Sequence, residues 1–125
     1  MMYGNDRFIS DFAELGYQLE LVKGGDNQTY AVFKNFEVPI GQFSGKIIDL
    51  AIIVPPDYPR IVGSSIHIKS NPQLFEKTDT IPGVRNIIDS GLGTEWRYWS
   101  FAFKAEPEDT AKHLMSQIVG VFKRV

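Results

Sequence analysis

Apolar and polar positions change period several times along this chain. Phe8, Ile9, Phe12 and Leu15 recur at three- and four-residue intervals, which predicts a short helix with one buried face, capped by Asn5 or Asp6 and ended by Gly16. From Tyr17 the period falls to two. Tyr17, Leu19 and Leu21 alternate with Gln18 and Glu20, slip once at Val22, and end at the turn residues GGDN, 24–27. Thr29 to Val38 (TYAVFKNFEV) reads as a second strand, 39–45 (PIGQFSG) as a turn, and Lys46 to Val54 (KIIDLAIIV) as a buried third strand. Short glycine-bearing turns make these an antiparallel meander, because parallel strands need crossovers of about a dozen residues or more.

The third strand runs into VPPDYPRIVG, 54–63. Each proline removes a backbone donor and restricts φ, so the strand ends there and the chain bends stiffly into a brief fourth strand, Ser64 to Lys69, with Ile66 and Ile68 on one face and His67 on the other. Asn71 to Glu95 shows no sustained period; Val84, Ile87 and Ile88 have the spacing of one helical turn. A loop of that length inside a compact domain is usually functional. The aromatic stretch WRYWSFAFK, 96–104, predicts a strand from Tyr98 onward, with Tyr98, Trp99, Phe101 and Phe103 as core residues. The closing helix carries Ala111, Leu114, Met115, Ile118, Phe122 and Val125 on its apolar face. Pro107 suits its first turn, Glu106, Glu108 and Asp109 its N-terminal dipole, and Lys123 and Arg124 its C-terminus.

Composition narrows the class. The 125 residues suit one domain, 1–125, with no linker or repeat, and the order of elements makes it α+β. Thirteen basic against fifteen acidic side chains, scattered along the chain, provide no field of one sign for nucleic acid or an anionic membrane. No apolar run approaches the roughly 20 residues of a membrane span, and a cytoplasmic protein is the expectation. The count of zero cysteines excludes disulfides, thiolate metal sites and cysteine nucleophiles.

Little remains for acid–base chemistry. His67 reads as a half-exposed strand residue and His113 as a solvated helix flank; neither has metal-ligand spacing to another histidine, so no metal or other cofactor is expected. Gly83, Gly91 and Gly93 belong to no phosphate-binding fingerprint and read as turn residues.

Three segments together suggest a family: VPPDYP at 54–59, HIKSNPQL at 67–74, and GTEWRYWSFAF at 93–103 followed by the closing helix. On these the chain resembles the prokaryotic ubiquitin-conjugating-enzyme-like family E, and through it the UBC-like superfamily. The resemblance implies an N-terminal helix, a four-stranded antiparallel meander, an irregular segment and a C-terminal helix. In that superfamily the irregular segment presents a cysteine that carries ubiquitin as a thioester, helped by a His-Pro-Asn asparagine. This chain has neither; Asn71-Pro72 lies in a related region, and Ser90 lies near the cysteine's place.

The resemblance therefore implies a cysteine-free, non-catalytic domain that binds a ubiquitin-like protein or an activating enzyme in a bacterial modification system. Pro56, Tyr58 and Pro59 of the proline loop and Trp96, Trp99 and Phe101 of the aromatic stretch are the expected scaffold and partner surface. Two other readings stand beside it. One is an enzyme using His67, Asp79, Arg85, Asp89 and Ser90; the other is an assembly subunit that pairs through an exposed sheet edge.

Overall fold

A computed structural model describes residues 4–78, 86–105 and 109–125. Its elements are α1 (Gly4–Glu14), β1 (Glu20–Lys23), β2 (Thr29–Glu37), β3 (Ile47–Ile53), β4 (Ile66–Lys69), β5 (Ile87–Ser90), β6 (Gly93–Trp99) and α2 (Thr110–Arg124). The strands form one antiparallel sheet in the order β1-β2-β3-β4-β6-β5. The predicted four-stranded meander is present, extended by a hairpin within and beyond the segment read as irregular.

Both helices contribute to the core on one face of the sheet. Phe8 and Phe12 of α1 and Leu114, Ile118, Val121 and Phe122 of α2 join Ala31, Phe33, Ile48, Leu50, Ile52, Ile66, Ile68, Ile87 and Trp99 from the strands. The period of two in each strand aims these side chains at the helices and sends the alternate ones outward. A smaller cluster, Tyr30, Val32 and Ala51, is buried on the opposite face beneath Ile53, Leu92 and Trp96.

The proline segment places an anchor for α1. After β3, a turn closed by the Tyr58 N–H donating to the Pro55 carbonyl (3.1 Å) brings Tyr58 into the core at 0% exposure, its ring 5.0 Å from that of Phe8. Its hydroxyl donates to Asp11 (3.0 Å), and its carbonyl accepts the Gly4 N–H (2.9 Å). That last bond changes the predicted helix start. Asn5 and Asp6 lie within the first turn rather than capping it, because the helix already begins at Gly4, whose N–H is held by that distant carbonyl.

Three further expectations are corrected. Ile87 and Ile88 lie in a strand, not a helical turn, because pairing with Trp99 and Tyr98 of β6 overrides their local spacing; Val84 falls outside the described residues. The aromatic strand begins at Gly93 and ends at Trp99, rather than starting at Tyr98. Beyond it, Ser65, at φ 70°, donates its backbone N–H to the Phe101 carbonyl (2.6 Å), while its hydroxyl accepts the Phe101 N–H (3.0 Å), so the chain leaves the ladder there. Finally, α2 starts at Thr110. Asp109 precedes it in a left-handed conformation (φ 53°, ψ 43°), so no acidic residue stands in the first turn, and the expectations for Glu106, Pro107 and Glu108 fall outside the described residues.

Candidate functional site

Ser90 ends β5 and points to the sheet face away from the helices, where it meets His67 of β4. Ser90 Oγ and His67 Nδ1 share a hydrogen bond of 2.7 Å, and the Leu92 N–H donates to the same Oγ at 3.1 Å. The sheet order brings this about: β6 pairs with β4 on one side and β5 on the other, with Tyr98 opposite both His67 and Ile88. Twenty-three residues of sequence are thereby reduced to a direct contact.

His67 is 1% exposed, which corrects its reading as a half-exposed strand residue. The reason lies in the tip of the β5–β6 hairpin, which folds toward the β1–β2 turn and is held there by the Gly25 N–H donating to the Gly91 carbonyl (2.8 Å). Gly91 lies so close to Asp26 and the Tyr30 hydroxyl that a Cβ there would collide with the Asp26 carboxylate. The rings of Tyr30 and Tyr98 stand edge-on to the imidazole, at 4.9 and 5.2 Å. Burial pushes His67 down to about 4, against a smaller upward pull from Asp26, so the ring is neutral at pH 7. Its Nε2 is buried with no partner among the described residues.

Asp26 and Tyr30 complete the cluster. The Tyr30 hydroxyl donates to the Asp26 carboxylate at 2.6 Å. That bond holds Asp26 below the usual carboxylate range, while burial, and then Asp26 itself, push the Tyr30 phenol up. A neutral imidazole touching a hydroxyl is able to take its proton; the same contact also satisfies the buried His67 Nδ1 and the half-buried Ser90 hydroxyl internally.

The other sequence-selected residues do not gather here. Asp89 is exposed and paired with Lys77 (3.4 Å), and Asp79 and Arg85 fall outside the described residues. His113 is exposed on α2. Trp99 is wholly buried between Phe75 and Phe122, whereas Trp96 covers the smaller cluster on the opposite sheet face. Phe101 is half-buried against the main core with the Arg124 guanidinium 5.0 Å from its ring centre. Pro56 is exposed, Pro59 is half-buried and Tyr58 is buried under α1. These six residues therefore form no single patch, and buried Tyr58 and Trp99 act on the fold. Asp26 and Tyr30 were not singled out from the sequence. Their one legible signal was the turn GGDN leading into an aromatic strand, which signals a hairpin and says nothing of what its tip touches.

Among the described residues, no group of three or more histidine and acidic side chains is placed to hold a metal ion, and no helix is long and apolar enough to cross a membrane. Helix, antiparallel sheet, proline-rich exit from the third strand and closing helix define a ubiquitin-conjugating-like fold. A family model described as Prokaryotic E2 family E matches residues 5–125. The chain belongs to that family. Comparison with curated proteins and with solved structures finds no match.

Proposed function

We propose that this protein is a non-catalytic member of its family, which binds a ubiquitin-like protein or an activating-enzyme partner in a bacterial modification system. The observation that carries this reading is a conjugating-enzyme scaffold matched over 5–125 in a chain with no cysteine. Thioester transfer needs a group that is both a good nucleophile and a good leaving group, and only a thiolate among the side chains combines the two. Ser90, near the place where the family resemblance puts the cysteine, spends its hydroxyl on His67 and the Leu92 N–H.

The test incubates the protein with a bacterial ubiquitin-like protein, its activating enzyme and ATP. A non-covalent complex on gel filtration, with no adduct on denaturing gels, is the expected result. Failure to bind either partner overturns the proposal and favours the assembly reading, for which β1 (Glu20–Lys23), exposed along its whole length at the sheet edge, offers the pairing strand.

The 2.7 Å contact between Ser90 and His67 favours a second reading in which Ser90 accepts the ubiquitin-like carboxyl terminus as an ester. His67 Nδ1 takes the hydroxyl proton, Oγ bonds to the carbonyl carbon, and the activating enzyme's thiolate leaves, to be reprotonated. An adduct that resists thiol reductant, is cleaved by alkaline hydroxylamine and is absent from Ser90→Ala would establish it in place of the first.

A further inference from the structure

We infer that the cleft where β3 outruns β4 is a docking site for an extended, positively charged peptide segment of a partner protein. The ladder between these strands ends at Asp49 opposite Lys69, yet β3 continues back through Ile48 and Ile47. Continuing the register would set Asn71 opposite Ile47. The strand has ended by then, and the chain proceeds through Asn71 and Pro72.

Alternation along an antiparallel strand decides which backbone groups this leaves open. The Val54 N–H donates to the Thr29 carbonyl, so even-numbered residues of β3 bond to β2, and the odd-numbered ones face β4. The Ile53 carbonyl, which lies against Gly63 on the β4 side, agrees with that assignment. The N–H and C=O of Ile47 thus face the cleft where β4 no longer pairs with them, a short open stretch of edge on a strand otherwise paired on both sides.

The cleft is large enough for a peptide, at about 670 Å³. Among the described residues, Asp49, Glu76 and Glu95 line it against one cation, Lys69. Lys69 is paired with Glu95 (3.1 Å), and Glu76 with Arg97 from outside the lining (3.5 Å). Among the described residues Asp49 has no ion pair and accepts only the Asn35 N–H (3.1 Å). Gln73 donates to the Glu95 carbonyl (2.6 Å), while its Oε1 is buried with no partner among the described residues. Ile47 is 54% exposed and gives an apolar neighbour for an alternate side chain. Main-chain pairing at an open edge and an excess of negative charge together select an extended segment bearing Lys or Arg. The inference does not depend on the pathway proposed above.

The experiment titrates the labelled protein with the end-blocked peptide Val-Lys-Val-Lys-Val and follows backbone amides by NMR. Shifts confined to Ile47, Asp49, Lys69 and the cleft loop are expected, with little response to Val-Glu-Val-Glu-Val. Ile47→Pro deletes a donor that faces the cleft and not β2, and should weaken binding about tenfold, the worth of roughly one hydrogen bond. Asp49→Asn, which keeps the acceptor for Asn35, checks the charge if the proline variant misfolds; it should weaken binding and flatten its dependence on salt. Shifts elsewhere, equal binding of the two peptides, or unaltered affinity in Asp49→Asn overturns the inference.

Discussion

His67 is the residue whose environment has the clearest measurable consequence. Folding removes it from water and holds its pKa near 4, while in the unfolded chain it returns to its ordinary value of about 6.5. Between those values the unfolded state binds the extra proton, so stability rises with pH and is lost as pH falls from about 6.5 toward 4. The expected loss from pH 7 to pH 5 is about 2 kcal/mol, from roughly 1.4 kcal/mol per unit below the unfolded value. Urea denaturation at the two pH values measures it, and His67→Leu should remove most of the difference. An undiminished pH slope in that variant would show that the ring is not the source. Asp26, held low by Tyr30, titrates below this window and does not blur it. Ser90→Ala leaves Nδ1 as unpartnered as Nε2, and should cost about 1–3 kcal/mol by the usual penalty for a stranded buried polar atom.

At the scale of elements, close backbone approaches decide where the pieces sit. Gly41, in the β2–β3 connection, has φ +86° and lies against the Phe122 carbonyl in the last turns of α2. A Cβ there meets both a left-handed backbone and an immovable main-chain atom. Gly41→Ala should therefore destabilise the fold by about 2 kcal/mol or more, and separate the loop from α2. A thermal melt within a degree of the parent would refute that placement. The sequence marked PIGQFSG as a turn because its glycines and proline are local signals, but a turn residue carries no record of the helix residue it touches, Phe122, 81 positions later. IIDSGLGTEW is the instructive miss. Its Ser-Gly and following Gly punctuate two short β-prone runs, a readable hairpin, yet Ile87 and Ile88 also suit a helical turn, and only pairing with Trp99 and Tyr98 separates the alternatives.

Across the whole molecule, protection should grade from the centre of the sheet outward. Among the strands, β2 and β3 carry core residues and each pair on both sides, whereas every residue of β1 is exposed and one side of it is unpaired. Amide exchange is expected to be slowest at Ala31, Phe33, Leu50 and Ile52, whose amides bond between β2 and β3, and fastest, among strand residues, in Glu20 to Lys23. Comparable protection in β1 would mean that its edge is covered in solution, which is what the assembly reading requires.

The chain's own pattern determined both terminal helices, the meander and the proline exit, because each depends on periodicity or on a residue's intrinsic backbone limits over a few neighbours. It also excluded thioester chemistry, since a missing cysteine needs no geometry to interpret. Tertiary structure decided what those elements do to one another. His67 and Ser90 meet only because β6 lies between β4 and β5. His67 is buried on the outward face only because one hairpin tip reaches another. The open edge at Ile47 exists only because β4 ends before β3 begins. These depend on contacts between residues far apart in sequence, which no local pattern encodes.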